Sequence, residues 1–262
     1  MPLYDLVASL PLKIEGYTLE GLSRTVSSGF ERKSTIIVLH GSGHDGRGED
    51  VTYEAGAHDA QQAAGPVLPL AGEWTFDSFS EHLATLDTFP DYTPEQPVYR
   101  NYRRWGLESA ALDLALRQAD TSLHELLGRT AEPVTFVVSS RMGEPPTIAP
   151  VTRRLAVYPA LRFKLDATPD WPEELITALQ QTGAVDSIDF KGAYKGTVVD
   201  TRTDPAFYKH IAESFPDAWL EDPDLETDEA RRALAAHQDR FQRDDGVGVK
   251  VVARPNAAVE IG

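Results

Sequence analysis

The spacing of the apolar strands constrains the fold of this chain more than any other feature of its sequence. From about residue 101, short apolar segments alternate with helical ones, and the predicted strands start roughly 25 to 30 residues apart. They span Val134–Val138, Leu161–Leu165, Ser187–Phe190 and Ala218–Glu221. Hairpins need only a few connecting residues, whereas parallel strands need a crossover of a dozen or more. The pattern therefore predicts about four to five parallel βα units over residues 101–262.

Residues 1–100 do not show this alternation and predict a mixed α+β domain. Thr35–Leu39 is a β-branched apolar run typical of a strand, and a short helix is predicted over residues 77–88. An irregular stretch that contains prolines follows. We therefore place a domain boundary near residue 100.

A glycine-rich segment follows the first predicted strand. Within Gly41–Gly46 the glycines have the G-x-G-x-x-G spacing of a dinucleotide-binding turn, but that turn requires a helix whose first amides meet the pyrophosphate. The residues that follow are too β-branched and glycine-rich for such a helix. We predict instead a hairpin with a loop as far as Gly48 and a return strand over Val51–Tyr53.

The composition excludes several classes of function. The net charge of −16 repels phosphate backbones, so we expect no nucleic-acid partner. The chain has no cysteine, which excludes disulfides, thiol nucleophiles and cysteine-ligated metals. No apolar run is long enough for a membrane span, and no basic segment precedes an apolar one as in a secretory signal. We expect a cytoplasmic protein with carboxylates available for a hard cation such as Mg²⁺.

Charged residues stand at the ends of three predicted strands. They are Lys164, Asp189 and Glu221. Because the carboxyl ends of parallel barrel strands meet at one rim, we expect these side chains to share a site. Two carboxylates beside a lysine indicate an oxygen-ligand site for a divalent cation with a base next to it. The alternative is that acidic residues simply end strands often in a chain that has 41 of them.

Several segments, in chain order, match the pattern of one known family. They are Gly46–Tyr53, Arg104–Leu116, Leu123–Gly128, Arg162-Phe163-Lys164, Asp189-Phe190-Lys191-Gly192-Ala193-Tyr194 and Glu221-Asp222-Pro223. The chain resembles the enolase superfamily in its mandelate racemase and muconate-lactonizing branch, which includes o-succinylbenzoate synthase and dipeptide epimerase relatives. The three strand ends of that branch read Lys-x-Lys, Asp-x-Asn-Gly-x-Tyr and Glu-Gln-Pro. The resemblance implies an α/β fold with an α+β cap: an N-terminal capping domain followed by a partial (β/α) TIM-type barrel.

The resemblance also implies roles for individual residues. Lys164 would be the catalytic base that removes the proton α to the carboxylate of a small substrate, and Asp189 and Glu221 would be ligands of Mg²⁺. Arg162 and Lys191 replace a lysine and an asparagine of the family pattern, and we interpret them as substrate contacts. Arginine is a permanent cation, so it can steer a carboxylate but cannot act as a base.

The family's third metal ligand and second base stand on its fifth and sixth barrel strands. Asp244 and Lys250 are the candidates for these two roles in this chain. An eight-unit barrel takes about 250 residues, whereas about 130 follow Val134, so we expect four units and part of a fifth. The resulting sheet would have an open edge, which we expect the C-terminal tail or a second copy in a homo-oligomer to cover.

Two functions therefore stay open. One is Mg²⁺-dependent abstraction of an α-proton, as in a racemase, an epimerase or a β-elimination lyase. The other is a catalytically inactive or truncated remnant of such an enzyme. If the third metal ligand is missing or displaced, Lys164, Lys191 and Arg162 would neutralise the carboxylates directly. From the sequence we therefore predict little or no proton abstraction by this chain, although its lineage is enzymatic.

Overall fold

The computed structural model describes residues 3–25, 31–90, 92–192, 196 and 200–241. Contacts between Cα atoms divide the chain into two compact units, Met1–Glu132 and Pro133–Gly262. The division lies later than the boundary predicted near residue 100. The reason is that the long helix Tyr99–Gln118 packs against strands of the first unit and is therefore part of it.

The first unit contains five helices and five strands among its described residues. In chain order they are α1 (Leu3–Val7), β1 (Pro11–Ile14), β2 (Gly16–Thr25), β3 (Glu31–Gly41), β4 (His44–Asp50), α2 (Ala55–Ala64), β5 (Gly72–Thr75), α3 (Phe76–Thr85), α4 (Tyr99–Gln118) and α5 (Leu123–Leu126). Strands β2, β3 and β4 form an antiparallel sheet in that order, and β1 pairs antiparallel with β5. This is the antiparallel α+β architecture expected of a cap.

The hairpin β3–β4 corrects the predicted glycine loop. The turn consists of Ser42 and Gly43 alone, with φ angles of 51° and 76°, and the return strand is His44–Asp50 instead of Val51–Tyr53. Two consecutive positive φ angles give a tight turn whose twist matches that of the paired strands, so no longer loop is needed.

The glycines assigned to that loop have a packing role in β4. A Cβ atom at Gly46 would lie 2.3 Å from the carbonyl oxygen of Ala110, and one at Gly48 would lie 2.0 Å from that of Gly106. Both contacted residues belong to α4. The glycines therefore let the backbone of α4 lie directly on β4, a packing function that replaces phosphate binding as the explanation of their spacing.

The second unit contains four βα units among its described residues. They are β6 (Val137–Ser140) with α6 (Ala149–Leu155), β7 (Arg162–Asp166) with α7 (Glu173–Thr182), β8 (Val185–Asp189) with α8 (Pro205–Ser214), and β9 (Trp219–Glu221) with α9 (Asp228–Phe241). The strands form one parallel sheet in the order β6-β7-β8-β9. Helix α7 ends at Gly183 in the left-handed conformation, with φ of 59°, which glycine adopts without steric cost.

One face of this sheet carries the core of the second unit. Phe163, Leu165 and Ile188 are fully buried and contact apolar residues of the helices, such as Leu175 and Leu179 of α7. Because side chains alternate along a strand, the residues between them point to the opposite face. In β7 the alternation places Arg162, Lys164 and Asp166 on that opposite face, where they are partly exposed. The sheet thus has an apolar helix-covered face and a charged face.

No helix among the described residues combines the length and the apolar composition needed to cross a lipid bilayer.

Candidate active site

The candidate site lies on the charged face at the carboxyl ends of β7, β8 and β9. Lys164 is paired in the sheet with Ser187, and Asp166 with Asp189, which in turn is paired with Glu221. The parallel register therefore brings to one edge the residues that close three successive strands.

Lys164 lies between the carboxylates of the next two strands. Its Nζ atom donates a hydrogen bond to Oε1 of Glu221 at 2.6 Å and lies 3.1 Å from Oδ2 of Asp189. Burial by itself lowers the pKa of Lys164, but the hydrogen bonds and negative charges of Glu221 and Asp189 outweigh it and hold the pKa above its ordinary value. In the metal-free protein Lys164 is therefore a cation at neutral pH.

Asp189 is the most buried member of the cluster, with 1% of its side chain exposed. Its Oδ1 accepts a hydrogen bond of 3.0 Å from the backbone N–H of Lys191, and its Oδ2 accepts a hydrogen bond from the Lys191 ammonium. Burial raises the pKa of Asp189, but the hydrogen bonds from Lys191 and Lys164 outweigh it, so the pKa lies below its ordinary value. Nζ of Lys191 also lies 3.5 Å from Asp166, and Lys191 adopts φ of 55°, which turns the chain back over the strand end.

Asp222 follows Glu221 and takes part in none of these ion pairs. Burial raises its pKa, and the neighbouring carboxylates of Asp189 and Glu221 raise it further. Burial and the like charges together therefore disfavour the ionised form of Asp222.

Asp189, Glu221 and Asp222 together offer ligands for a cation. One carboxylate oxygen from each residue lies within 4.8 Å of the others. Carboxylate oxygens are the ligands of hard divalent cations such as Mg²⁺. Burial and the negative charges of Asp189 and Glu221 raise the pKa of Asp222, although Lys191 and Lys164 act in the opposite direction. By its donor atoms and its charge, this residue set fits a divalent cation.

Arg162 lies away from the cluster, at the amino ends of the strands. Arg162 is the first residue of β7, and its Nε donates to Oδ1 of Asp186 at 2.8 Å, while Nη1 donates to the carbonyl oxygen of Gly183. Gly183 precedes β8, so Arg162 binds groups at the opposite end of the strands from Glu221. Its position therefore does not support the predicted contact with substrate.

Two other candidates, Asp244 and Lys250, lie outside the described residues. Their predicted roles as third metal ligand and second base remain predictions. Ala193 and Tyr194 of the Asp189 motif are likewise outside the described residues.

Two members of the cluster were not among the predicted site residues. Asp166 lies two residues after Lys164 in a strand, so the alternation of side chains was a signal that could have identified it. Asp222 had no such signal, because strand alternation would point it away from Glu221. Its φ of 46° turns the backbone and places both carboxylates on the cluster.

Sequence comparison finds a match for each unit of the chain. The N-terminal domain of DUF8230, a domain of unknown function, matches residues 5–126, and the DUF8230 C-terminal domain matches residues 130–257. No curated protein matches the chain.

Similar solved structures include members of the enolase superfamily, the family that the sequence resembles. An isomerase from Streptomyces coelicolor A3(2) is 17% identical, with a TM-score of 0.58, over 86% of this chain and 62% of its own. An enolase from Bradyrhizobium, complexed with magnesium and mandelic acid, is 16% identical, with a TM-score of 0.55, over 86% of this chain and 66% of its own. This chain thus spans roughly two thirds or less of the length of these structures.

Sequence identities of 16% and 17% support a similarity of fold only. This similarity confirms the predicted cap and partial barrel. The chain belongs to the DUF8230 family, and its described residues have the fold of the enolase superfamily.

Proposed function

We propose that the strand-end cluster is a site for Mg²⁺-dependent abstraction of the proton α to a substrate carboxylate. The observation that carries this proposal is the joint position of a lysine and three carboxylates. Lys164 lies 2.6 Å from Glu221 and 3.1 Å from Asp189, and these two carboxylates converge with Asp222. A base next to a set of oxygen ligands is the arrangement that this reaction requires.

The residues of the cluster would have three different roles: base, metal ligand and support of a metal ligand. Lys164, as the neutral amine, would accept the α-proton, so its ion pairs with Glu221 and Asp189 must give way during the reaction. Asp189, Glu221 and Asp222 would hold Mg²⁺, which stabilises the negative charge that develops on the substrate carboxylate in the transition state. Lys191 holds the buried carboxylate of Asp189 in place. The fold supports this assignment, because barrel enzymes place their active sites at the carboxyl ends of the strands.

The direct test is exchange of the substrate α-proton in deuterated water. The panel contains N-acyl amino acids, dipeptides and hydroxy acids, each with and without Mg²⁺. We expect exchange on at least one member, stimulated by Mg²⁺ and reduced about 100-fold or more in Lys164→Met. Lys209→Met is the matched control, because Lys209 lies on α8 with 65% of its side chain exposed and pairs only with Glu213 among the described residues. Equal exchange by the parent and Lys164→Met would refute the assignment of Lys164 as the base.

A second candidate function is a non-catalytic domain that has kept the fold. The observation that favours it is the neutralisation of Asp189 and Glu221 by Lys164 and Lys191. The two candidates differ in their response to Mg²⁺ in a calorimetric titration. Binding that is lost in Asp189→Asn supports the catalytic site, whereas no binding by the folded parent supports the second candidate.

A further inference from the structure

The ammonium of Lys191 lies beside two carboxylates and is hydrogen-bonded to one of them. It donates to Oδ2 of Asp189, and its Nζ atom lies 3.5 Å from Oδ1 of Asp166. A charge-assisted hydrogen bond between such groups has a length of about 2.8 Å, so the contact with Asp166 is an ion pair without a hydrogen bond. A shift of less than about 1 Å would bring the ammonium within hydrogen-bonding distance of Asp166.

Asp166 has one carboxylate oxygen that is not hydrogen-bonded. Its side chain is 14% exposed, and Oδ2 accepts a hydrogen bond of 3.2 Å from Nε of Arg141. Oδ1 is buried and accepts no hydrogen bond from any described residue. Buried polar atoms are rarely left in this state, because the hydrogen bond that they lose with water is not replaced. Asp166 therefore offers a place for a second donor.

Asp189 already carries two ammonium groups. Nζ of Lys164 lies 3.1 Å from Oδ2 of Asp189, the same oxygen that accepts the hydrogen bond from Lys191. Both lysines are mostly buried. A divalent cation on this carboxylate would lie close to both ammonium groups, and like charges repel each other strongly at short range where water is largely excluded. At least one ammonium must therefore move when a cation binds.

Of the two lysines, Lys191 has an alternative partner outside the cation site. The ion-pair partners of Lys164 among the described residues, Asp189 and Glu221, are themselves ligands in the proposed site. Asp166 does not belong to that ligand set, so Lys191 can move from Asp189 to Asp166 and stay paired with a carboxylate. Its backbone N–H can remain bonded to Oδ1 of Asp189, because only the side chain has to move.

We propose that Asp166 is a positioning residue that accepts the Lys191 ammonium when the carboxylates of the cation site bind Mg²⁺. In the metal-free protein this ammonium neutralises Asp189. In the metal-bound protein it is hydrogen-bonded to Oδ1 of Asp166, and Asp189 is left to the cation. This inference rests on the cation site of the proposed function, but not on the abstraction of a proton. It accounts for carboxylates that are neutralised in the metal-free protein and still bind a cation.

A double-mutant cycle, measured by calorimetric titration with Mg²⁺, tests this role. The four proteins are the metal-free parent, Asp166→Asn, Lys191→Asn and the double variant, and asparagine tolerates the φ of 55° at Lys191. We expect Asp166→Asn to weaken Mg²⁺ binding about 10-fold in the parent but less than about 2-fold in the Lys191→Asn background, because the acceptor matters only while the ammonium is present. Lys191→Asn alone should strengthen Mg²⁺ binding, since no ammonium then has to leave Asp189.

Asp186→Asn is the matched control. Asp186 lies on β8 in the same sheet but pairs with Arg162 at the amino ends of the strands. Its substitution should therefore change the affinity for Mg²⁺ by less than about 2-fold. Circular dichroism checks that each variant is folded, and Asp166→Ser or Lys191→Gln replaces a variant that is not.

Several results would overturn the inference. An equal loss of affinity by Asp166→Asn in both backgrounds shows that Asp166 acts through its own charge and not through Lys191. An unchanged affinity of Asp166→Asn shows that the ammonium needs no second acceptor, and weaker binding by Lys191→Asn shows that it does not compete with the cation. A folded parent that binds no Mg²⁺ overturns the proposed cation site together with this inference, whereas binding without coupling overturns this inference alone.

Discussion

At the scale of single residues, Asp222 bears a carboxylate whose ionised form its surroundings disfavour. We predict that Asp222→Asn stabilises the metal-free protein, by about 0.5 to 1.5 kcal/mol, because it removes a partly buried like charge beside Asp189 and Glu221. Asparagine tolerates the positive φ of this position. The same substitution should weaken Mg²⁺ binding, since it removes a ligand charge. Urea unfolding and calorimetry measure the two effects, and a loss of stability in the metal-free variant would contradict this account of the charge.

Lys164 and Asp189 predict how the stability of the metal-free cluster depends on pH. The pKa of Asp189 is lowered, so its contribution is complete above its ordinary value of 3.8 and is lost as the pH falls through the lowered value. The pKa of Lys164 is raised, so its contribution is complete below 10.5 and is lost as the pH rises through the raised value. Lys164→Met should therefore lower the free energy of unfolding by about 1 to 3 kcal/mol between pH 3.8 and pH 10.5.

The difference in unfolding free energy between Lys164→Met and the parent should become smaller in acid. Urea unfolding with EDTA over a pH series measures it, and a difference that grows below pH 3.8 would contradict the prediction.

At the scale of elements, the contact of α4 with β4 depends on the absence of a side chain at Gly48. A Cβ atom there would lie 2.0 Å from the carbonyl oxygen of Gly106, so the backbone of β4 or of α4 would have to shift. We predict that Gly48→Ala costs about 2 kcal/mol or more of unfolding free energy. Gly16→Ala is the control, because nothing lies within 4 Å of the Cβ position at Gly16. Chemical denaturation of both variants is the measurement, and equal stability would show that the helix adjusts freely.

The same helix is held to the sheet by a buried ion pair. Nε of Arg103 donates to Oδ2 of Asp50 at 2.7 Å, and its other nitrogens donate to the carbonyl oxygens of Thr88 and Ala57. The two side chains are 2% and 0% exposed. We predict that Arg103→Met costs about 3 to 5 kcal/mol, because it leaves the Asp50 carboxylate buried without its cation.

The control for this prediction lies further along α4. Arg117 pairs with Asp113 at the surface, so Arg117→Met should cost less than about 1 kcal/mol. Thermal or urea unfolding compares the two variants. A similar loss of unfolding free energy in both variants would mean that burial does not determine how much the Arg103–Asp50 pair stabilises the protein.

At the scale of the whole molecule, the net charge of −16 makes stability depend on ionic strength. Self-repulsion of a highly charged chain destabilises its compact state, and salt screens that repulsion. We predict that the melting temperature rises with NaCl between about 0.01 and 0.5 M, where the screening length falls from about 30 Å to a few ångström. MgCl₂ at matched ionic strength separates screening from specific binding, because only binding adds stability beyond that of NaCl. A melting temperature that stays constant in NaCl would contradict this prediction.

The sequence by itself determined the parallel strands of the second unit and their order. The 25–30-residue spacing of apolar runs was sufficient for four parallel strands, because strand and helix periodicity are local properties, and all four lie within a few residues of their predicted positions. Lys164, Asp189 and Glu221 could be named for the same reason, since parallel strands present their carboxyl ends to one edge.

Tertiary structure alone decided what those residues touch. The glycines of Gly41–Gly48 serve a two-residue turn and the close approach of α4, and the partner in that contact lies more than fifty residues further along the chain. Arg162 turns to Asp186 because its place at the start of β7 puts it at the far end of the strands. Asp222 joins the carboxylates through a positive φ, and its carbonyl oxygen accepts a hydrogen bond from the N–H of Gly192, thirty residues earlier in the chain. Periodicity is encoded locally, whereas these contacts depend on which distant segments the fold brings together.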